Sequence, residues 1–498
     1  MKKTNKYISI MLMATLLLFS CKKNVLDVPN ENTPDFLKVF AKGEDVENVA
    51  AGIYNSFYHG EHHYNGIYPM LAVAADNATC SHGNFGMWHA SSEPRDLAWD
   101  NSPSYSNAGQ TKFTYDYMYS SIATAINVIK AIENGIQIGK DGENNNRTLA
   151  ACRFIMGIAY GNLALAYDRA HVVDETITVD GVLETALPYK DVADKAIEYL
   201  DKAAEVANTP FSIPASWFGT ASAVSNTELK KMINTAAARI LAYTPRNKAE
   251  LASVDWNKVK TYADAGITAD WNIISDDNIW WDGSGYYLTV TGWAKTDMYV
   301  VNLMDPTQPQ HWEDRADFPH PPASTNPIDK RLETDFQYTP SNNFRPDRGY
   351  FNFSNYRFSR YDAHYVTWLG PKPHVMKAEN DLLRAEARTY LGGGGLTEAA
   401  DIINAGTRVT RGEMTPVAAN QEDLVKAIHH ERHVELYTTG MGVQFYEMRK
   451  LDLLQKGTIL HFPLPARILE TMNETPPFYT FGTVAKADGT GTSNGGWR

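Results

Sequence analysis

The sequence predicts an all-α protein whose helices pack in pairs, with a large irregular insertion and a few short strands. Apolar residues recur at three- and four-residue intervals over about 115–266 and 374–454. Such spacing is typical of amphipathic helices that bury one face. At about 59–106 and 271–364 this spacing is lost, and glycine, asparagine, proline and aromatic residues dominate. We call these stretches the first and second irregular regions, and expect them to form long loops over the helices.

The periodic stretches predict individual helices, several of them followed by a proline or glycine that stops the helix. The predicted helices are 46–57, 115–133, 148–168, 189–207, 228–242, 256–265, 374–390, 397–409 and 421–437. Small residues such as Gly157 and Gly161 would let a neighbouring helix approach closely. The pairing resembles tetratricopeptide units, although no period of 34 residues is regular. Within the second irregular region, the alternation at 349–353 predicts a strand.

The first residues have the form of an export signal. Three lysines precede an apolar run at 8–19, which is shorter than the about 20 residues that a membrane-spanning helix needs. The run ends at Cys21, with a leucine three residues before it, and so resembles a bacterial lipoprotein signal. We expect removal of 1–20, lipid on Cys21 and a polar tether over 21–35. The alternative is a plain secretory signal followed by an unrelated cysteine.

Charge and composition limit the classes of partner. Residues 36–498 are expected to form one body, with 43% hydrophobic and 21% charged residues in the whole chain. Loss of the three signal lysines takes the formal charge from −12 to about −15, which argues against nucleic acid. After Cys21 only Cys80 and Cys152 remain. A disulfide between them stays open, and a buried free thiol is the expectation for Cys152.

The irregular regions combine flat aromatic side chains with polar ones, as carbohydrate binding requires. Aromatic faces stack on sugar rings, and planar amide or carboxylate groups bond adjacent hydroxyls. The candidate ligand-binding residues are Asp76, Asn77, Trp88, Trp99, Trp280, Trp281, Tyr286, Tyr287, Trp293 and Trp312. The alternative is that each tryptophan only anchors a long loop to the helices.

No metal site, cofactor or catalytic residue is predicted. His429 and His433 have the spacing of a zinc helix, but Glu431 lies two residues after the first histidine instead of directly after it. The histidines at 59–63 are expected to form an exposed polar cluster in a loop. The aspartates at 276–282 are expected to cap helices or face solvent rather than to bind calcium. No paired-carboxylate or nucleophile motif indicates an enzyme.

The C-terminal segments 431–436, 440–449 and 462–470 resemble the signature end of the SusD/RagB family of outer-membrane nutrient-binding lipoproteins. Weaker similarity to this family continues through the following segments: 383–387, 399–408, 51–54, 74–76 and the lipoprotein signal. One departure is Phe445–Lys450, where the family usually has an aromatic-Asp-Leu-Arg-Arg run. We expect Glu447 and Arg449 to keep the structural pairing of that run.

The resemblance implies a SusD-like tetratricopeptide-type scaffold in which loops from the two irregular regions meet to form the ligand surface. It also implies non-catalytic capture of a glycan or oligosaccharide at the outer membrane, with a lipid anchor, exposure to the exterior, and delivery to a SusC-like TonB-dependent transporter. Two alternatives remain open: a helical scaffold that binds a protein or peptide, and a surface glycosidase. The resemblance identifies neither the glycan nor the leaflet of the anchor.

Overall fold

The computed structural model describes residues 40–176, 185–313, 318, 320–340, 344–439 and 442–498. The export signal, Cys21 and the tether predicted for 21–35 lie outside the described residues.

The described chain is mainly helical, as the periodicity predicts. The helices are α1 Gly43–Ala51, α2 Ile53–His62, α3 Tyr68–Ala74, α4 Met87–Ser91, α5 Ala108–Glu133, α6 Asn145–Ala166, α7 Tyr189–Val206, α8 Ala215–Phe218, α9 Asn226–Tyr243, α10 Lys248–Leu251, α11 Trp256–Asp264, α12 Gly283–Thr289, α13 Met298–Met304, α14 Arg331–Thr334, α15 Asp362–Thr367, α16 Lys377–Leu391, α17 Gly395–Asn404, α18 Thr407–Thr410, α19 Gln421–Val434, α20 Val443–Lys450 and α21 Ala466–Thr471. Short 3₁₀ turns occur at Asn84–Gly86, Lys140–Gly142 and Pro346–Arg348.

The strands are short and pair two by two, in antiparallel fashion. They are β1 Ala78–Thr79, β2 Arg169–Ala170, β3 Leu187–Pro188, β4 Ser212–Ile213, β5 Val224–Ser225, β6 Trp271–Asp276, β7 Lys295–Thr296, β8 Phe336–Tyr338, β9 Tyr356–Phe358 and β10 Leu369–Val375. The pairs are β1 with β7, β2 with β3, β4 with β5, β6 with β10, and β8 with β9. The longest of these ribbons, β6 with β10, joins the second irregular region to the C-terminal helices.

The long helices form an array in which each packs on the next, in the order α2, α5, α6, α7, α9, α11, α16 and α17, with α19 also against α16. Glycines allow the close approaches within it. A Cβ atom at Gly157 would lie 2.6 Å from Leu200 Cγ of α7, and one at Gly161 would lie 2.4 Å from Ile240 Cδ1 of α9. The sequence-based interpretation of these small residues is therefore confirmed. Helix α6 is long and apolar enough to cross a membrane by composition, but it is mostly buried inside the protein, as a core helix is.

Three predicted elements differ from the structure. The helix predicted at 397–409 is divided into α17 and α18, with the break at Ala405 and Gly406. The helix predicted at 46–57 is interrupted at Gly52, and its second part, α2, continues to His62 within the first irregular region. The strand predicted at 349–353 is wrong. Tyr350 and Phe353 both enter a small aromatic cluster with Phe318, and Phe353 N donates to Tyr350 O at 2.7 Å, which closes a turn. In a strand, residues three positions apart point to opposite faces. Tyr350 and Phe353 therefore need a turn between them to enter the same cluster.

The expected pairing of Glu447 and Arg449 is also different. Glu447 bonds the guanidinium of Arg432 and lies 3.1 Å from Lys450 Nζ, in a buried ion cluster that includes Glu386. Arg449 instead donates from both Nη atoms to backbone carbonyl oxygens, so these bonds, and no carboxylate, hold its buried guanidinium.

Cys80 and Cys152 are both free and buried, so the structure decides against the disulfide that the sequence left open.

Candidate functional site

Half-buried aromatic rings from both irregular regions meet on one side of the helical array. We call this group the aromatic surface; its members are Tyr64, Phe85, Trp281, Tyr286, Tyr287, Trp293 and Trp368. Ring centroids lie 4.9 Å apart for Tyr64 and Tyr287, 4.8 Å for Phe85 and Tyr287, and 5.6 Å for Tyr287 and Trp293. Trp368 extends the group, at 4.8 Å from Tyr286 and 6.4 Å from Trp281. The rings are inclined to one another, and each of these side chains is only partly buried.

The loop between β6 and α12 positions the centre of this surface. At its start, Asp276 Oδ1 accepts hydrogen bonds from the backbone N–H groups of Asn278, Ile279 and Trp280, at 2.8 to 3.0 Å. This bonding is an aspartate turn, which replaces the backbone hydrogen bonds that a loop lacks. Gly283 follows, and a Cβ atom there would lie 2.4 Å from Trp281 Cζ3. Only glycine therefore leaves Trp281 in its place.

Asp282 connects the segments that carry the aromatic rings. Its Oδ1 accepts from Gly285 N at 2.9 Å, which caps α12, and lies 3.1 Å from His62 Nδ1 at the end of α2. Its Oδ2 bonds Lys372 of β10 and accepts from Tyr365 OH of α15 at 3.1 Å. Asp282 is fully buried. Burial alone would raise its pKa, but Lys372 and His62 outweigh that effect and hold the pKa well below its usual range.

Exposed aliphatic side chains border the aromatic surface. Leu369 is paired with Asp276 in the β6–β10 ribbon, so the two chain segments lie side by side. Ile279, Val366 and Leu369 are 50%, 82% and 56% exposed. Large exposed apolar groups in one place indicate a contact surface more often than isolated ones do.

His63, which lies beside the aromatic surface, is uncharged near neutral pH. Burial lowers the pKa of His63 to about 4, with a further contribution from His59. His63 lies between Trp281 and Phe113, at centroid distances of 5.0 and 4.7 Å. The expectation of an exposed histidine cluster in a loop is wrong, because His59 and His62 lie on α2 and His62 is buried.

The predicted ligand-binding residues divide into three groups. Trp281, Tyr286, Tyr287 and Trp293 lie together in the aromatic surface. Asp76, Asn77, Trp99 and Trp280 are instead buried, at 0%, 2%, 3% and 6% exposure. Trp88 and Trp312 lie outside the aromatic surface.

The buried group has structural partners. Asp76 pairs with Arg95 and accepts from Trp497 Nε1 at 2.6 Å, and Asn77 Oδ1 lies 2.9 Å from His433 Nδ1. Trp99 packs on Phe462. Trp280 packs against Gly219, where a Cβ atom would lie 2.7 Å from the indole. These side chains hold the loops to the core and present no surface to a ligand, so we leave them out of the candidate site.

The two remaining tryptophans also contact protein groups. The guanidinium of Arg348 covers one face of Trp88 at 4.1 Å. Trp312 packs with Phe318 and Tyr350, and its Nε1 donates to Phe353 O at 2.8 Å. Trp312 therefore anchors a loop, as the alternative interpretation of the tryptophans proposed.

Three members of the aromatic surface were not singled out from the sequence: Tyr64, Phe85 and Trp368. Tyr64 and Phe85 lie in the first irregular region, and Trp368 follows the end of the second. Their aromatic character in irregular sequence was the available signal, but only the fold brings them beside Trp281.

The possible metal-ligand clusters of the described residues are occupied by protein hydrogen bonds. Glu61, His62 and His374 bring ligand atoms within 4.8 Å of one another. However, His62 Nε2 lies 2.8 Å from His374 Nδ1, which is a hydrogen-bond length. Two ligands at about 2.0–2.1 Å from a tetrahedral zinc ion would be roughly 3.4 Å apart.

The second cluster, Asp329, His430 and Glu431, surrounds the guanidinium of Arg331, which bonds both carboxylates at 2.7 Å. Of the helical pair considered for zinc, His429 bonds Tyr299 OH at 2.6 Å, and His433 bonds Asn77.

Comparison with known proteins finds no matching protein-family model and no matching curated protein. Solved structures do match, at low sequence identity. A SusD-like carbohydrate binding protein from Bacteroides fragilis superposes with a TM-score of 0.57 and 14% identity, covering 82% of this chain and 86% of that one. One from Bacteroides vulgatus gives 0.55 and 16%, covering 85% of each chain. A SusD superfamily protein from Bacteroides thetaiotaomicron gives 0.51 and 15%, with 82% and 90% coverage. The chain therefore has the SusD-like fold that its C-terminal segments predicted.

Proposed function

We propose that this protein binds a glycan or oligosaccharide at the cell surface without catalysis. The observation that carries the proposal is the aromatic surface, where tilted, half-buried rings from both irregular regions form one group beside the uncharged His63. Stacking on such rings suits the apolar faces of sugar rings, and no net charge is needed on the ligand. Two of the similar solved structures are described as carbohydrate binding proteins, which supports the same ligand class here.

Two of the three aspartates at 276–282, in the loop between β6 and α12, already have protein partners, which supports a non-catalytic role. Glycoside hydrolysis needs two carboxyl groups facing each other across the bond, about 5–9.5 Å apart. Asp276 accepts three backbone hydrogen bonds, and Asp282 is buried in an ion pair, so neither is free for acid–base chemistry. Release of reducing ends from a bound glycan would contradict this part of the proposal.

Anchoring and delivery complete the proposed function. The lipoprotein-like signal would place lipid on Cys21 at the outer membrane, facing outward, and the bound glycan would pass to a SusC-like TonB-dependent transporter. Protease treatment of intact cells tests the outward orientation. Co-purification with a transporter in mild detergent tests the partner.

Titration calorimetry against a panel of glycans tests the binding site. We expect the double variant W281A/Y287A to bind roughly 5- to 150-fold more weakly, because each lost stacking contact contributes about 0.5–1.5 kcal/mol. Y262A is a suitable control, since Tyr262 is a half-buried aromatic of α11 whose OH bonds Asp201. Equal binding by the double variant and the control would exclude the aromatic surface as the site.

One observation favours a second function, the binding of a protein or peptide. A cavity of about 410 Å³ lies between α16, α17, α18 and α19. Its lining is aliphatic and charged, without aromatic residues, and includes Met376, Leu382, Ile402, Ile403, Glu431 and Glu435. Such a groove suits aliphatic side chains of a peptide better than a sugar. Capture of a protein partner that is lost in L382E, while glycan binding is kept, would support this function.

A further inference from the structure

A line of four ionisable side chains runs through the core directly beneath the aromatic surface. Asp282 Oδ1 lies 3.1 Å from His62 Nδ1, His62 Nε2 lies 2.8 Å from His374 Nδ1, and His374 Nε2 lies 3.6 Å from Glu61 Oε2. All four side chains are at most 6% exposed. We call this line the histidine chain.

When both histidines are neutral, the carboxylates around the histidine chain outnumber the cations by one. Asp282 pairs with Lys372, and Glu379 lies 3.0 Å from Arg239 Nε. Arg239 also faces Glu61, whose carboxylate is the third negative group beside two cations. The other titratable groups that face the chain are Tyr54, Tyr58, His59, Tyr68, Tyr361, His364, Tyr365 and Tyr446. None of these supplies a positive charge near neutral pH, so one negative charge is left in the core.

The hydrogen bonds along the histidine chain also call for one additional proton. If His62 donates from Nδ1 to Asp282, its Nε2 must accept from His374 Nδ1, and His374 Nε2 is then an acceptor that faces Glu61. A carboxylate there would place two acceptors opposite each other. One added proton removes the conflict, because a protonated Glu61 turns an O–H instead of a negative charge toward His374 Nε2, 3.6 Å away. The same proton on His62 is an equivalent arrangement: His62 still donates from Nδ1 to Asp282, but it also donates from Nε2 to His374 Nδ1, and His374 Nε2 then carries the hydrogen that faces Glu61.

We infer that the folded protein holds one proton in the histidine chain, beyond two neutral histidines and two ionised carboxylates, and that this proton stabilises the frame of the aromatic surface. Asp282 caps α12, His62 ends α2, and His374 belongs to β10. Loss of the proton therefore weakens the junction of the three segments that carry Tyr64, Trp281 and Trp368.

The directions of the pKa shifts agree with Glu61, at one end of the histidine chain, as the group that keeps the proton. Burial raises the pKa of Glu61 and lowers that of His374 well below its usual range. In the unfolded chain, Glu61 is ionised above about pH 5, and the histidines are neutral above about pH 6.5. Above about pH 6.5 the folded state therefore binds one proton more than the unfolded state. The free energy of unfolding falls as the pH rises from there to the pKa at which the histidine chain of the folded protein loses its proton.

Denaturant unfolding of wild type and E61Q between pH 6.5 and 9.5 tests the inference. E61Q replaces the carboxylate by a neutral amide whose N–H can face His374 Nε2 without any added proton, so E61Q should lack this pH dependence. Relative to E61Q, the unfolding equilibrium constant of wild type should rise by up to about tenfold per pH unit, which is the dependence that one proton gives. Parallel curves for the two proteins would overturn the inference. If E61Q does not fold, E61M serves the same comparison, since it also removes the carboxylate.

Two controls make the result specific. E386Q neutralises an equally buried carboxylate that bonds Arg432 and Lys450 away from the histidine chain, and it should keep the pH dependence of wild type. Addition of Zn²⁺ to chelator-treated wild type should leave unfolding unchanged. Stabilisation of wild type but not of E61Q by Zn²⁺ would show a metal site in place of the proton. Because the measured quantity is unfolding, the test is independent of any glycan.

Discussion

Replacement of Asp282 by asparagine is expected to destabilise the protein strongly. The substitution keeps the size of the side chain and an oxygen that can cap α12, since asparagine caps helices about as well as aspartate. It removes the negative charge beside Lys372, whose side chain is only 3% exposed. Breaking a buried ion pair by removing one partner costs about 3–5 kcal/mol. We therefore expect a loss of about 4 kcal/mol, a large part of the roughly 5–15 kcal/mol that is usual for a folded protein.

The origin of this loss can be separated from a general effect on the loop. In the double variant D282N/K372M the unpaired ammonium is absent, so much of the stability should return. D276N is the matched control. Asp276 lies in the same loop but is exposed, and the asparagine oxygen can accept the same backbone hydrogen bonds, so a cost below about 1 kcal/mol is expected.

Urea unfolding followed by tryptophan fluorescence measures these free energies. A value for D282N within about 1 kcal/mol of wild type would refute the reasoning, because it would mean that Lys372 is not held in the core by this carboxylate. Equal losses for D282N and the double variant would refute the charge argument while leaving the loop argument intact.

Three further predictions follow from single contacts. G283A should displace Trp281, whose ring atom would lie 2.4 Å from the new Cβ, and should shift its fluorescence and weaken glycan binding, whereas G394A, at a glycine with open space, should do neither. His63 is neutral in the folded protein with a pKa of about 4, so wild type should lose stability between pH 6.5 and 4 as the unfolded histidine takes up a proton; H63Q should lose less, and equal losses would contradict the assignment. In protein that begins after Cys21, a thiol reagent should modify Cys80 and Cys152 only on unfolding, because burial raises the pKa of Cys80 to about 12; rapid reaction of the native protein would exclude this.

Tertiary contacts explain why only part of the candidate site was predictable. Trp281 and Trp280 are neighbours in sequence with the same aromatic character, and nothing local distinguishes them. In the structure Trp280 is buried against Gly219, whereas Trp281 stays half-buried in the aromatic surface, because strand β6 and the capped start of α12 fix the direction of the loop between them. Asp76 looked like a sugar ligand, yet it bonds Arg95, Gln455 and Trp497, partners that are up to 421 residues away.

Local sequence was enough to predict the helical class, the places where regular structure stops, and the similarity of the C-terminal segments to SusD-like proteins. These properties depend on periodicity and on turn-forming residues, which are written in neighbouring positions. The packing of the whole chain was needed to show which aromatic rings meet, which are buried, and that Asp282, His62, His374 and Glu61 form one line. Within that line, His62 and His374 are 312 positions apart, and their pairing follows from the packing of helices and from the register of β6 with β10.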